Sequence, residues 1–225
     1  MTAAHVRKLF LAAMLPVLLC LGGCQLPLAM GLMMFPNETV AGKYKLPPDA
    51  TLLVFPDDLT NPVSYPQIKG ILADEISKFL VEQHVVARVI PYQQLADLHA
   101  AEPDFNHMSV ARVGRRLGAT VVLYISIDEF SLKEMPSDTV WKAKMAAKVR
   151  VVDVNKGLLW PDESAGYAVS AELPIVDNVN EAFGVALSAQ LADKLAKKVI
   201  DLFRERELPK ARPKEKEQEG GSIAE

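Results

Sequence analysis

The sequence predicts an α/β fold: a mixed sheet with crossover helices, in two or three layers, completed by a hairpin and a long covering helix near the C-terminus. Three observations carry that expectation. Between Thr51 and Ile127, short β-branched runs alternate with amphipathic ones, the pattern of strands joined by helical crossovers. Val140–Val154 alternates apolar and charged residues at the strand period, then meets the turn signal Asn155-Lys156-Gly157. From Val179 to Phe203, apolar residues return at four-residue spacing, as on one face of a helix.

The elements follow in order. His5-Val6-Arg7-Lys8 is a basic lead-in to the apolar stretch Leu9–Leu21, which is too short for a comfortable membrane span and is interrupted by Pro16. It ends Leu21-Gly22-Gly23-Cys24, which resembles the bacterial lipoprotein box. Small residues fit a peptidase cleft, and the Cys24 thiol is the acceptor that a thioether-linked lipid requires. Residues 1–23 therefore read as a lipoprotein signal peptide and Cys24 as the lipidated N-terminus, with a covalent lipid in place of any cofactor. Two or three acyl chains, at roughly 0.8 kcal/mol per buried CH₂, hold a protein on a bilayer without a spanning helix. Gln25, rather than aspartate, follows the cysteine, and in this the chain resembles enterobacterial lipoproteins sorted to the outer membrane, which implies a body facing the periplasm. Residues 24–50 read as a tether. Its Met and Leu cluster, Leu26–Phe35, suits either lipid contact or the covering of a domain edge.

A single domain is expected over 51–204. Thr51–Phe55 is a buried strand stopped by Pro56-Asp57-Asp58. Ser64, Pro66 and Gln67 open a helix to Gln83, with Ile68, Ile71, Leu72, Ile76, Phe79 and Leu80 on one face. Val85–Ile90 is a second strand, and Tyr92–His99 a short helix. Ser109 caps a helix to Leu117, with Gly118 as its left-handed exit and Gly114 serving close packing. Thr120–Ile127 is the third strand, and 128–141 reads as a polar connection too short for a lipid-facing hairpin. In Val140–Val154, Ala143, Met145, Ala147, Val149 and Val151 share one face, with Lys142, Lys144, Lys148 and Arg150 on the other. Returning strands follow at Leu158–Trp160 and Gly166–Leu173. Asn178 with Glu181 forms a capping pair for the last helix, whose stripe is Val179, Phe183, Leu187, Leu191, Leu195 and Val199, flanked by Ala182 and Ala186. At ~1.5 Å per residue that helix is roughly 37 Å long and is expected to cross the sheet containing Thr120–Ile127. Residues 205–225 are charged, contain prolines and read as a disordered tail.

Composition narrows the function classes. Half of the residues are hydrophobic, which excludes global disorder. Loss of residues 1–23 removes Arg7 and Lys8 and no acid, so the formal charge moves from −3 to −5, a poor balance for nucleic acid. The two cysteines are Cys20 and Cys24, which leaves the body without a thiolate nucleophile, a disulfide framework or a Cys-based metal site. No GxSxG, Walker or GxGxxG motif occurs. His99, Glu102, Asp104 and His107 cluster in one stretch, but without ligand spacing they read as a solvated loop rather than a metal site. Asp57 and Asp58 stand at a strand's carboxyl end, where open sheets place ligand-binding groups, although Pro-Asp-Asp is also ordinary turn punctuation. No residue is assigned to catalysis. The Lys142/Lys144/Lys148/Arg150 face is the candidate partner surface.

Three segments carry a resemblance: Thr51–Asp57 (TLLVFPD), residues 109–127 with Leu117-Gly118-Ala119 before a strand, and 149–160 with Asp153, Gly157 and Trp160 about a turn. In them the chain resembles bacterial envelope lipoproteins related to the curli-secretion-channel lipoprotein, the penicillin-binding-protein activator lipoproteins and the amino-terminal domain of the Tol-system β-propeller protein. The resemblance implies a tethered α/β domain, without catalysis, that binds an envelope protein or associates with itself. Two alternatives stay open: a subunit of a multimeric outer-membrane secretion or transport component, and a ligand-sensing or hydrolytic domain using Asp57 and Asp58.

Overall fold

A six-stranded sheet with helices on both faces occupies residues 41–206, one of two units into which contacts divide the chain; residues 1–40 with 207–225 form the other. The computed structural model describes residues 39–59, 62–134, 140–177 and 181–207. Cys24, the signal segment, most of the tether, Asn178 and the tail beyond Glu207 lie outside them.

The first half is parallel. Strand β1 (Thr51–Asp57) is buried along most of its length because a neighbour pairs on each side and helices cover both faces. Helix α1 (Gln67–Glu82) leads to β2 (Arg88–Ile90), which pairs with β1 in parallel. Pro66 opens α1 without a side-chain cap, so Ser64 does not serve as one. Helices α2 (Tyr92–Ala101) and α3 (Val110–Arg116) then return the chain to β3 (Val121–Glu134), on the other side of β1. Ser109 caps α3, its Oγ accepting the Arg112 N–H at 3.3 Å, and Gly118 leaves it at φ +75°.

The second half is antiparallel. Strand β3 pairs with β4 (Val140–Asp153), whose far edge is shared by β5 (Gly157–Trp160) at one end and β6 (Tyr167–Asp177) along the rest. The Asp153 carboxylate turns the chain into β5 by accepting the N–H groups of Asn155 and Lys156, which hold its pKa below the usual carboxylate range. Strand β3 does not stop at Ile127. It runs to Glu134, so part of 128–141 belongs to a long hairpin with β4 rather than to a polar connection. A bulge between Ile127 and Glu129 resets the alternation, and Phe130 and Leu132 pack on the same core as Ile127.

Helix α4 (Glu181–Ile200) buries Leu187, Leu191, Leu195 and Val199, with Phe183 packed at the margin; Ala186 is exposed. It lies over β4 and β6 and against α1, and does not cross β3 as expected from the sequence. The reason is that α1 already covers β1 on that face, leaving the antiparallel half for α4. The other face is covered by α2 and α3, whose smaller core joins Leu53, Phe55, Val122 and Tyr124. Leu46 also enters the main core, so the packed body includes part of the lead-in before Thr51.

Candidate functional site: a charged sheet face and a strand-end cleft

Period-two alternation gives β4 two unlike faces. Ala143, Met145, Ala147, Val149 and Val151 are buried under α4, and the intervening residues point the opposite way. There Lys144 Nζ lies 2.8 Å from Glu129 Oε2 and Lys148 Nζ lies 3.0 Å from Asp128 Oδ2. All four side chains keep between 34% and 45% of their surface exposed. The hydrogen bond and charge of Glu129, with Glu172 beyond it, raise the pKa of Lys144 above the usual lysine range. Arg150 differs from the lysines: its guanidinium carbon sits 4.9 Å from the Tyr124 ring centroid, and Nη1 donates to the Ser164 carbonyl at 3.4 Å. Lys142 is paired with Lys133 in the strand register, and its side chain lies outside the described residues.

At Lys144 and Lys148 the predicted basic face is therefore a pair of opposite-charge contacts across β3 and β4. The acidic partners come from the strand extension and its bulge, which the sequence reading treats as a connection. Helix packing on this face is concentrated over β1 and β3, where α2 and α3 sit.

A second feature lies at the carboxyl end of β1. A cleft of roughly 180 Å³ opens between the β1 end, α1 and α2, lined by Phe55, Asp58, Lys69, Tyr92, His99 and Asn106 among others. Asp57 Oδ2 accepts the Tyr124 hydroxyl, and Oδ1 accepts the Leu59 N–H at 3.1 Å, closing a local turn. Asp58 Oδ1 meets Lys69 Nζ at 2.6 Å and Oδ2 accepts the Val63 N–H at 3.1 Å, with both side chains of the ion pair less than one-fifth exposed. Burial pushes the Asp58 carboxyl up, but Lys69 and the Val63 N–H outweigh it and hold the group below the usual range. Burial and the carboxylates of Asp58 and Asp74 raise Tyr92; burial and the bond to Asp57 raise Tyr124. Both acids are thus tied into the fold by bonds that also order the loop after β1. Lys69 and Tyr124 escape a reading by sequence alone, because each sits inside a regular element and meets its acid only through the fold.

The His99 stretch does not converge. His99 packs on Phe105 with ring centroids 4.5 Å apart, while Glu102 accepts from Arg116 at 3.0 Å. Among the described residues, no group of three or more His, Cys, Asp or Glu side chains could hold a metal ion. Among them, too, no helix is long and apolar enough to cross a membrane.

No family model matches the chain, and no curated protein matches it. Several solved structures are similar to it. The PelC dodecamer from Paraburkholderia phytofirmans is 12% identical, with 75% of this chain and 97% of that chain covered and a TM-score of 0.40. Lipoprotein GNA1162 from Neisseria meningitidis is 20% identical over 66% of this chain and 99% of that one, with a TM-score of 0.42. A minor lipoprotein from Acinetobacter baumannii is 10% identical over 67% and 88%, with a TM-score of 0.37. At such scores these likenesses transfer neither an activity nor a partner.

Proposed function

We propose that this chain is a lipid-anchored, periplasm-facing binding or assembly domain of the bacterial cell envelope that performs no catalysis. The observation that carries the reading is the partly exposed pair of ion pairs Glu129–Lys144 and Asp128–Lys148. On the opposite face of β4, the apolar row Ala143, Met145, Ala147, Val149 and Val151 is buried in the main core. A polar face of alternating sign on a sheet fits an envelope protein of complementary pattern, since paired charges set register and exclude wrong partners more than they add affinity. The Leu21-Gly22-Gly23-Cys24 signal supports the anchor, and Gln25 supports the outer membrane. The tethered, non-enzymatic role implied by the resemblance to the curli-channel, synthase-activator and Tol-associated lipoproteins agrees with this reading. The committed hydrogen bonds of Asp57 and Asp58 favour it over the hydrolytic alternative.

The test is crosslinking in intact cells from a photoreactive residue placed at Ala146, between the two ion pairs. Capture of an envelope protein, or of a second copy of the chain, is the expected outcome. Replacing Lys142, Lys144 and Lys148 together with Gln should weaken that capture while keeping stability within about 1 kcal/mol, because exposed pairs contribute little to folding. Arg150 is left in place since it packs on Tyr124. Added salt should weaken capture in the same direction by screening. Undiminished capture by the triple variant would return the lysines to ordinary solvated surface.

A further inference from the structure

We propose that Lys194 and Lys198 guard the outer edge of β6 against addition of another strand, keeping that edge closed to a second copy of this chain. Among the described residues β6 pairs with β4 and with no other strand, so its far side is a sheet edge eleven residues long. A long edge with aligned N–H and C=O groups is a template for another chain unless something blunts it.

The hydrogen-bond parity of the sheet fixes which groups face outward. The Val154 N–H donates to the Thr120 carbonyl at 3.1 Å, so even-numbered residues at this end of β4 turn their backbone groups toward β3. The odd-numbered ones, Ala143 to Val149, therefore turn toward β6, where they stand opposite Leu173, Ala171, Val169 and Tyr167. That pairing spends the odd-numbered backbone groups of β6 on β4. Ala168, Ser170 and Glu172 consequently direct theirs away from the sheet.

Two of those outward carbonyls are occupied. Lys198 Nζ donates to the Ser170 carbonyl at 2.5 Å, and Lys194 Nζ donates to the Glu172 carbonyl at 2.6 Å. The spacings match: carbonyls two residues apart on a strand lie about 6.8 Å apart, and residues four apart on a helix rise about 6 Å. A helix running back along an edge strand can therefore place one lysine on every second carbonyl. Pro174 follows where the register with β4 shifts, and it offers no N–H to an incoming strand. An ammonium on each carbonyl must be stripped off before another strand's N–H can take its place, and the two charges repel a second copy bearing the same pair.

The experiment is sedimentation velocity of the full chain in detergent over a concentration series, with residue-resolved amide exchange. The parent should show no concentration-dependent slowing of exchange at Ala168 and Ser170. The double variant Lys194→Ala/Lys198→Ala should associate about tenfold more tightly or better, with both amides slowing as concentration rises. Lys194→Arg/Lys198→Arg keeps the donors and should follow the parent. The proposal is overturned if the alanine variant sediments like the parent, if it associates without slowing those amides, or if the arginine variant associates equally. If the double variant loses its far-ultraviolet circular dichroism, each single alanine variant is read in the same way, and failure of both to associate overturns it.

Discussion

At Gly114, one missing methyl group sets how closely α3 approaches the sheet. A Cβ there would stand 2.6 Å from Val122 Cγ2 and 2.8 Å from Val154 Cγ1, and both valines belong to the small core. Alanine would gain about 1 kcal/mol of helix propensity over glycine, but overpacking a dense core costs about 1–3 kcal/mol. Gly114→Ala should therefore lower stability by about 1 kcal/mol, read as a lower urea midpoint; a raised midpoint would mean that α3 shifts freely on β3. Asp58 makes a second residue-scale case, one of pH. Its folded-state pKa lies below its unfolded value, so its contribution is fully present above the unfolded pKa and is lost as pH falls through the folded one. The parent's urea midpoint should drop as pH is taken below about 4. In Asp58→Asn that acid limb should be shallower but not flat, because Asp153 is depressed in the same direction. Acid limbs of identical slope would remove the Lys69 pair from the account.

At the scale of elements, α4 decides whether the antiparallel half of the sheet has a core. Leu187 is 2% exposed and Val185 is 47% exposed, two residues earlier on the same helix. Leu187→Ala should cost about 2–5 kcal/mol through lost transfer energy and residual cavity, whereas Val185→Ala should stay within about 0.5 kcal/mol. Equal urea midpoints for the two variants would make α4 an exposed arm. The buried stripe of α4, the Ser109 cap and the alternation of β4 are legible in the sequence, since each is a local pattern with a fixed period. The extension of β3 is not. Its bulge makes the inward sequence Ile127, Phe130, Leu132, so the spacing passes from three to two and the residues between them, Asp128, Glu129 and Ser131, are polar. Nor does the β4 pattern disclose that Lys144 and Lys148 have acidic neighbours, because cross-strand register belongs to neither strand alone.

At the scale of the whole molecule, the proposed anchor and the proposed edge guard bear on the same problem. A protein confined to a membrane surface meets its own copies at high effective concentration, so an open strand edge would be a greater hazard there than in dilute solution. The proposed confinement would rest on Cys24. Two or three acyl chains there would supply the membrane affinity, at roughly 0.8 kcal/mol per buried CH₂, whereas a single chain would hold only marginally. Cys24→Ser should therefore abolish incorporation of labelled fatty acid. The variant should also either retain its signal segment or be processed at another position, which intact-protein mass separates. Because the packed body between Ala41 and Arg206 does not contain Cys24, the variant's urea midpoint should equal the parent's. Equal fatty-acid labelling of variant and parent would refute the lipid anchor and, with it, the membrane confinement on which the envelope role depends.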